Sequence, residues 1–126
     1  RHVGVSNVSV EQLDRARDVV TVATVQNEYN VVDRTHDDVL DVCEEGDIGF
    51  VPYFPLGGGD LAGKAAVLDE VAAAHDATRR QVALAWLLER SPVVLPIPGT
   101  STVDHLEANV AAADIDLTDD EMARLS

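Results

Sequence analysis

The sequence predicts an α/β protein built from four successive strand–helix units around a parallel sheet. Two observations predict this class. Short apolar runs alternate along the chain with stretches of helical periodicity, a pattern typical of parallel strands covered by helices. The hydrophobic residues, 46% of the total, are spread over these short runs, and no linker, repeat or low-complexity segment divides them. Residues 1–126 are therefore interpreted as one compact (βα)4 unit.

Capping residues and turns bound the predicted elements. Ser9 with Gln12, and Thr78 with Gln81, have the spacing of a capping box, in which two residues satisfy each other's backbone N–H groups. Gly46 is expected to end a helix. In chain order we expect strand 3–5, a helix after Ser9, strand 22–25, helix 35–45, strand 48–53, a glycine-rich loop at 57–59, helices 64–74 and 79–90, strand 93–97, helix 103–112 and a short helix opened by Thr118 and Glu121.

The charge balance excludes several kinds of partner. Asp and Glu number 23 against 9 Lys and Arg, for a net charge of −14, and binding to nucleic acids or anionic membranes relies on clustered basic residues. No apolar stretch approaches the roughly 18 residues of a membrane span, and no signal peptide is visible. We therefore predict a cytoplasmic protein with neither partner. The acidity suits an ordinary acidic protein or a salt-rich cytoplasm.

The single cysteine, Cys43, excludes an internal disulfide and a cysteine-based metal cluster. Its apolar neighbours on the predicted helix, Val39, Leu40 and Val42, favour a buried structural thiol over a reactive one. No metal site is predicted.

The most informative stretch is the junction between strand 93–97 and the helix that follows it. A turn at Gly99 leads directly into this helix, whose first N–H groups lack intrahelical partners and whose dipole adds partial positive charge. Thr100, Ser101 and Thr102 add hydroxyl donors, so the junction suits an anion such as a phosphate. The alternative is that Ser101 or Thr102 only caps the helix.

Four segments, each at the end of a predicted strand, point to one family. They are Gly-Val-Ser-Asn at 4–7, Val-Gln-Asn-Glu-Tyr-Asn at 25–30, Pro-Tyr-Phe-Pro-Leu-Gly at 52–57 and the junction at 96–109. In this order and spacing they resemble the aldo-keto reductases, and the resemblance covers residues 3–125. In that family the segments end four successive strands of a TIM barrel. The resemblance therefore implies an α/β fold that is a parallel (βα)4 half of a TIM barrel, with an extra helix before the last strand and a short C-terminal helix.

The resemblance reaches only the second half of the family's barrel. A TIM barrel typically has about 250 residues, and this sequence has 126. The family's catalytic Asp, Tyr, Lys and His lie on earlier strands, and nothing here matches them, since the only lysine, Lys64, falls in a predicted surface loop. We therefore assign no catalytic residue. Because the sequence opens on Arg1 directly before a strand, it is expected to be a piece of something longer.

The resemblance also implies which residues bind a nicotinamide cofactor, whose carboxamide offers one acceptor and two donors. Ser6, Asn7 and Gln26 would hold that carboxamide, and Tyr53 would stack on the nicotinamide ring. The alternatives are that Ser6 and Asn7 form a plain turn and that Tyr53 is an inward barrel side chain. The other implied cofactor residues are Phe54, Pro55, Leu56 and Gly57 beside the pyrophosphate, and Gly99, Thr100, Ser101, His105 and Asn109 at the adenosine half and any 2′-phosphate.

Four positions depart from the family's pattern. Phe54 stands where a small polar residue is common, and Gly99 and His105 stand where many members have Lys and Arg. Ala108 replaces an acidic residue, and Asp104 beside His105 repels phosphate. The family still implies NADP(H), with NAD(H) less strongly excluded than usual.

The expected function is that of the cofactor-binding half of an NADP(H)-dependent aldo-keto reductase. The intact enzyme would reduce an aldehyde or ketone, or oxidise the corresponding alcohol, by hydride transfer, with the proton donated from the missing half. Expected partners are a small carbonyl substrate and either the missing N-terminal half-barrel or a second copy of this chain, as a homodimer. The alternative is a non-catalytic half-barrel that serves as a binding module or a self-associating scaffold.

Overall fold

The structure is a computed structural model that describes residues 1–59 and 61–126. Helices and short parallel strands alternate along it, as the sequence predicts. In chain order the elements are β1 (Val3–Ser6), α1 (Val10–Arg17), β2 (Val22–Gln26), α2 (Asp37–Glu45), β3 (Gly49–Phe50), α3 (Ala65–Ala74), α4 (Arg79–Arg90), α5 (Val103–Ala111) and α6 (Asp119–Leu125), with 3-10 turns at Gly57–Gly59, Ala62–Lys64 and Ala112–Asp114.

The sheet is parallel, with the strand order β1-β2-β3. Val5 pairs with Val25, which in turn pairs with Phe50, and Ser6 pairs with Gln26 at the ends of β1 and β2. The predicted α/β class with a parallel sheet is confirmed. Because all the strands run in one direction, their carboxyl ends lie at one edge of the sheet.

The third strand is shorter than the predicted strand 48–53. Regular pairing ends after Phe50, although the N–H groups on either side of Pro52 still donate towards β2, Val51 to the Val25 carbonyl at 2.8 Å and Tyr53 to the Asn27 carbonyl at 3.0 Å. The pairing resumes beyond the proline at one point, where Tyr53 forms a parallel bridge with Glu28.

The predicted strand 93–97 is wrong as a regular strand. Val94 makes one parallel bridge with Phe50. The Phe50 N–H donates to the Val93 carbonyl, and the Leu95 N–H donates to the Phe50 carbonyl, each at 2.8 Å. The next N–H group that could donate to this segment, two residues after Phe50, would be that of Pro52, and proline has none. Segment 93–95 nevertheless runs beside β3, next in order after β1, β2 and β3.

Side-chain caps begin most of the helices where the sequence predicts them. Capping boxes are present at Ser9 with Gln12, at Thr78 with Gln81 and at Thr118 with Glu121. Gly46 follows α2 and ends it. None of the helices within residues 1–59 and 61–126 is long and apolar enough to cross a membrane.

The helices cover one face of the sheet and leave the other exposed. On the covered face, Val25 and Phe50 are fully buried together with Trp86 of α4, and burial of such large apolar side chains drives folding. On the opposite face, Gly49 lies beside the side chains of Thr24 and Leu95, and Leu95 is 58% exposed.

The single cysteine lies on the buried face of α2. Cys43 is fully buried, and that burial raises the pKa of its thiol to about 11. The thiol is therefore protonated at neutral pH and packs as a small apolar group, as the sequence predicts.

A polar cluster ties the segment between β2 and α2 to α4. The Tyr29 ring stacks on Trp86, with centroids 5.9 Å apart, and its hydroxyl donates to Asp37 Oδ1 at 2.5 Å. Arg34 and Arg90 reach the Asp37 carboxylate at 2.7 and 3.4 Å. Burial alone would raise the pKa of Asp37, but the hydrogen bonds from Tyr29 and Arg34 and the two positive charges outweigh it, so that this pKa is lowered. Burial, and then the bond to Asp37, raises the pKa of Tyr29 to about 12.

The lowered pKa of Asp37 makes the stability of the fold depend on pH. Its carboxylate stabilises the folded chain above the ordinary pKa of 3.8, and this contribution is lost as pH falls through the lower folded-state pKa. We expect Asp37→Asn to reduce the free energy of unfolding by about 1–2 kcal/mol near neutral pH, allowing for solvent screening of a partly exposed side chain. The difference from the unaltered chain should shrink below pH 3.8.

Urea unfolding at several pH values measures this difference. Glu45→Gln, which removes an exposed carboxylate from the same helix, is the matched control and should change the free energy of unfolding little. A difference for Asp37→Asn that stays constant from pH 7 to pH 3 would contradict the assignment.

Candidate functional site

The carboxyl ends of the parallel strands bring several of the predicted site residues to one edge of the sheet. Ser6 ends β1 and pairs with Gln26, which ends β2. Tyr53 follows β3 and is bridged to Glu28, two residues beyond Gln26. Asn7 comes directly after Ser6. These four predicted residues, Ser6, Asn7, Gln26 and Tyr53, therefore form one group, which we call the strand-end group.

The turn after β1 is held by hydrogen bonds from β2. Asn7 has a left-handed backbone, with φ of 55°, a conformation that Asn tolerates better than most residues. Its N–H donates to the Gln26 carbonyl at 3.1 Å, and the Ser6 hydroxyl donates to the same carbonyl at 2.7 Å. The Ser6 hydroxyl has thus used its one proton, and only its lone pairs are left for a ligand.

Asn27 also stabilises this turn. Its side chain is fully buried, accepts from the Val8 N–H at 3.1 Å and donates to the Val8 carbonyl at 2.8 Å. These two bonds fix the chain directly after Asn7. The sequence predicted no role for Asn27, although a second amide next to Gln26, at the end of a buried strand, was an available signal.

Tyr53 crosses the end of β2 to reach the turn after β1. Its hydroxyl donates to Asn7 Oδ1 at 2.6 Å, although β2 lies between β1 and β3 in the sheet. The Tyr53 ring is half-buried and makes an edge contact with Phe54, with centroids 5.5 Å apart. The strand-end group is therefore joined by hydrogen bonds from β1 to β3.

In the loop after Tyr53, the Phe54 side chain is exposed and the two that follow it are not. Pro55 and Leu56 are buried, so their side chains point into the protein. Phe54 has a left-handed backbone with φ of 48°, and its carbonyl accepts from the buried Asn30 side chain at 3.1 Å. Gly57, with φ of 54°, suits this tight path because it has no Cβ atom.

Asn30 is a second buried amide for which the sequence predicted no separate role. Its side-chain oxygen accepts from the N–H groups of Val32 and Asp33 at 2.9 and 2.8 Å, while its nitrogen donates to the Phe54 carbonyl. One side chain thus holds both the segment after β2 and the loop after β3, which gives these two loops a fixed spacing.

The junction before α5 shows which hydroxyl caps the helix. Thr102 is the N-cap, and its side chain accepts from the His105 N–H at 3.3 Å. Thr100 folds back on Thr102, accepting from its N–H at 3.3 Å and donating to its carbonyl at 3.2 Å. Within the described part of the chain, no partner is seen for the exposed Ser101 hydroxyl. Of the two predicted caps, Thr102 is therefore the cap and Ser101 is not.

The remaining predicted residues of the junction differ in exposure. Gly99 and His105 are exposed, whereas Asn109 is half-buried and lines an apolar cavity of about 470 Å³ with Ile97, Leu106 and other residues. The junction follows segment 93–95 and so comes next to β3 in the sheet order, on the side away from β1.

Two basic side chains near these loops in sequence, Arg34 and Lys64, already have partners. Arg34 is paired with Asp37. Lys64 donates to the carbonyls of Leu125 and Ser126, each at 2.8 Å, so it fastens the C-terminal end of the chain to the start of α3. Lys64 is half-buried at the end of a 3-10 turn and does not lie in the open surface loop that the sequence predicted.

The comparisons with known proteins agree with this arrangement. A family model described as the aldo/keto reductase family matches residues 1–126. The chain is 48% identical over 125 residues to an uncharacterized oxidoreductase of Schizosaccharomyces pombe, covering 99% of this chain and 41% of that protein. It is 45% identical over 125 residues to pyridoxine 4-dehydrogenase of Escherichia coli, covering 99% of this chain and 43% of that protein.

A solved structure gives the same relationship. The aldo-keto reductase from Klebsiella pneumoniae, crystallised in complex with NADPH, superposes with a TM-score of 0.88 at 31% identity, covering 99% of this chain and 46% of that one. The chain thus spans less than half the length of these relatives. Because the family model matches the sequence from its first residue to its last, the chain belongs to the aldo/keto reductase family.

Proposed function

We propose that this chain is the nicotinamide-binding part of an NADP(H)-dependent aldo-keto reductase. The observation that carries the proposal is the strand-end group, in which Ser6, Asn7, Gln26 and Tyr53 converge at the carboxyl ends of parallel strands in a member of this family. Sites of βα architectures lie at this edge of the sheet. A relative bound to NADPH supports the choice of cofactor.

The proposed architecture is a single (βα)4 half of a TIM barrel over residues 1–126. Its support is the parallel order β1-β2-β3 continued by segment 93–95, with helices on one face only. The exposed face, which includes Gly49, Thr24 and Leu95, would be the barrel interior. The match to less than half of each full-length relative also supports this interpretation.

The strand-end group has the donors and acceptors that a carboxamide requires. The oxygen of the Asn7 amide accepts from Tyr53, so its NH2 group is left to donate to a carbonyl oxygen. The Ser6 hydroxyl has donated to the Gln26 carbonyl, so it can accept from an NH2 group. The Gln26 side chain, beside Ser6, has both a donor and an acceptor. Tyr53 would present its ring to one face of the nicotinamide.

The phosphates and the adenosine would lie along the loops that follow. We propose that the pyrophosphate meets the backbone of loop 54–57, because the side chains of Pro55 and Leu56 are buried. The 2′-phosphate and adenosine would meet Gly99, Thr100, Ser101, His105 and Asn109, at the N-terminus of α5. These positions include no Lys or Arg, so NAD(H) is the second candidate cofactor.

The proposed reaction divides the work between this chain and a complementary segment. When bound, NADPH supplies the hydride that reduces an aldehyde or ketone to an alcohol, and an acid must protonate the carbonyl oxygen in the same step. The strand-end group contains amides, a hydroxyl and a phenol that are used for binding and orientation. We therefore assign the proton donor to a segment that completes the barrel, and no catalytic residue to this chain.

Exposed apolar residues at both ends of the sheet order favour a partner that completes the barrel. At the β1 end, Val3 of β1 is 45% exposed and Val19, after α1, is 86% exposed. At the other end, three residues of α5, Val103, Leu106 and Val110, are more than half exposed. We propose that an N-terminal half-barrel covers both ends and that a second copy of the chain substitutes for it when that half is missing. The alternative function, a non-catalytic binding module, would use the same surfaces.

Because the proton donor is assigned to another segment, we predict no turnover by residues 1–126 alone. We expect the purified chain to reduce an aromatic aldehyde with NADPH no faster than the uncatalysed background, because no positioned acid stabilises the developing alkoxide. NADPH absorbance measures the rate. Steady turnover that copurifies with this chain, and with no longer protein, would overturn the assignment of the proton donor to another segment.

Cofactor binding itself tests the proposal. We expect NADPH to bind to the chain in calorimetry and Ser101→Ala to weaken binding by about 1–3 kcal/mol, the usual contribution of a hydrogen bond to a charged group. Thr118→Ala, which removes the cap of α6 far along the chain, is the control and should lower stability by about 1 kcal/mol without changing affinity. If the unaltered chain binds neither NADPH nor NADH, the proposed function is wrong.

Self-association follows from the unpaired ends of the sheet. We expect light scattering at micromolar concentration to show a homodimer, in which β1 of one copy pairs with segment 93–95 of the other. Val110→Lys should weaken the dimer, whereas Ala111→Lys, an equal charge change on the adjacent exposed residue of α5, should weaken it less. A stable, folded monomer would contradict the proposed pairing of sheet edges.

A further inference from the structure

The hydrogen bond between Tyr53 and Asn7 has no role in stacking an aromatic ring on a nicotinamide. The Tyr53 hydroxyl donates to Asn7 Oδ1 at 2.6 Å, a short and direct contact between side chains 46 residues apart. A phenylalanine at this position would offer the same ring without this bond. The hydroxyl therefore acts on Asn7, and its effect can be separated from that of the ring.

The Asn7 amide needs this contact because its two ends are chemically opposite. The oxygen only accepts and the NH2 group only donates, and rotation of the amide by half a turn exchanges them. The backbone of Asn7 is fixed by the hydrogen bond from its N–H to the Gln26 carbonyl and by the two hydrogen bonds between the Asn27 side chain and Val8. Those bonds place the Cα atom but leave the outer torsion of the side chain free. Tyr53 is the group that selects one orientation.

The selected orientation complements that of Ser6. With its oxygen bonded to Tyr53, Asn7 offers only donors to a ligand, and Ser6, having donated to the Gln26 carbonyl at 2.7 Å, offers only lone pairs. A carboxamide placed between them would direct its carbonyl toward Asn7 and its NH2 group toward Ser6. The reversed carboxamide would bring donor against donor and acceptor against acceptor, and so would lose both hydrogen bonds.

We propose that the Tyr53 hydroxyl is a positioning group that orients the Asn7 amide and thereby fixes which way the nicotinamide carboxamide lies. This inference rests on the proposed function, because the ligand is the same cofactor. It adds a role for the phenol that a stacking ring does not have. The role is confined to the nicotinamide end of the ligand, since Tyr53 and Asn7 both belong to the strand-end group.

The test compares NADPH with 2′-phospho-ADP-ribose, which has the same adenosine and phosphates but no nicotinamide. We expect Tyr53→Phe to weaken NADPH binding about five- to tenfold, the size of one hydrogen bond, and to leave 2′-phospho-ADP-ribose binding unchanged. Asn7→Asp keeps an oxygen for Tyr53 but removes the NH2 donors, so it should weaken NADPH binding and spare the shorter ligand as well.

A double-mutant cycle shows whether Tyr53 acts through Asn7. Asn7→Gly removes the amide and suits the left-handed backbone, with φ of 55°. In that background Tyr53→Phe should have no further effect on NADPH binding. Circular dichroism of each variant confirms that the fold is kept, and Asn7→Asp still tests the assignment if Asn7→Gly does not fold.

Each outcome distinguishes this inference from the proposed function. If the unaltered chain fails to bind NADPH, the proposed function is wrong and the inference falls with it. If the unaltered chain binds but Tyr53→Phe binds equally well, only the inference is overturned. An equal loss for NADPH and 2′-phospho-ADP-ribose, or an undiminished effect of Tyr53→Phe in the Asn7→Gly background, would show that Tyr53 has a general structural role and would also overturn it.

Discussion

The parallel register of β1 on β2, and of β2 on β3, is the constraint on which the rest of the structure depends. Pairing Ser6 with Gln26 places the two strand ends side by side, and the shared direction of the strands puts every following loop at the same edge. A shift of one residue would turn Val25 and Phe50 from the covered face to the exposed face. Burial of the core and convergence of the strand-end group are therefore set by the same pairing.

Buried amides extend that order beyond the strands. The loops at the edge have few backbone partners of their own, so Asn27 holds the chain after β1, and Asn30 holds the loop after β3. A buried amide that lacked these partners would be costly, and with them it fixes a loop in one conformation. Side chains at the ends of β1 and β3 can then meet across β2, as Tyr53 and Asn7 do.

Local signals in the sequence predicted much of this fold, and non-local contacts account for what they missed. The capping boxes at Ser9, Thr78 and Thr118 depend on residues three apart, so the sequence alone predicts the helix starts. The strand 93–97 was predicted from its apolar residues, but continued pairing with β3 would need an N–H donor at Pro52, which has none. The choice between Ser101 and Thr102 as the cap depended on backbone geometry that composition does not encode.

For the candidate site, the sequence predicted the residues but not the contacts between them. Resemblance to the family singled out Ser6, Asn7, Gln26 and Tyr53, and the structure brings them to one edge of the sheet, although their binding roles are proposals. The bond between Tyr53 and Asn7 joins residues 46 positions apart, and the sequence contains no pattern for it. Asn27 and Asn30 were likewise missed because a buried amide is recognised by its partners, which only the folded chain supplies.

The charge of the chain limits how it could bind an anionic cofactor. Acidic residues outnumber basic ones by 23 to 9, and Arg34, Arg79, Arg90 and Arg124 are paired with carboxylates. Long-range attraction is therefore weak, and phosphate binding would depend on N–H groups and hydroxyls that act only at contact distance. Such donors are effective when the backbone holds them in place, and the proposed phosphate site would rely for this on the hydrogen bonds between Thr100 and Thr102. In an acidic protein of this kind, a turn held by such hydrogen bonds would take the place that positive charge occupies in a basic one.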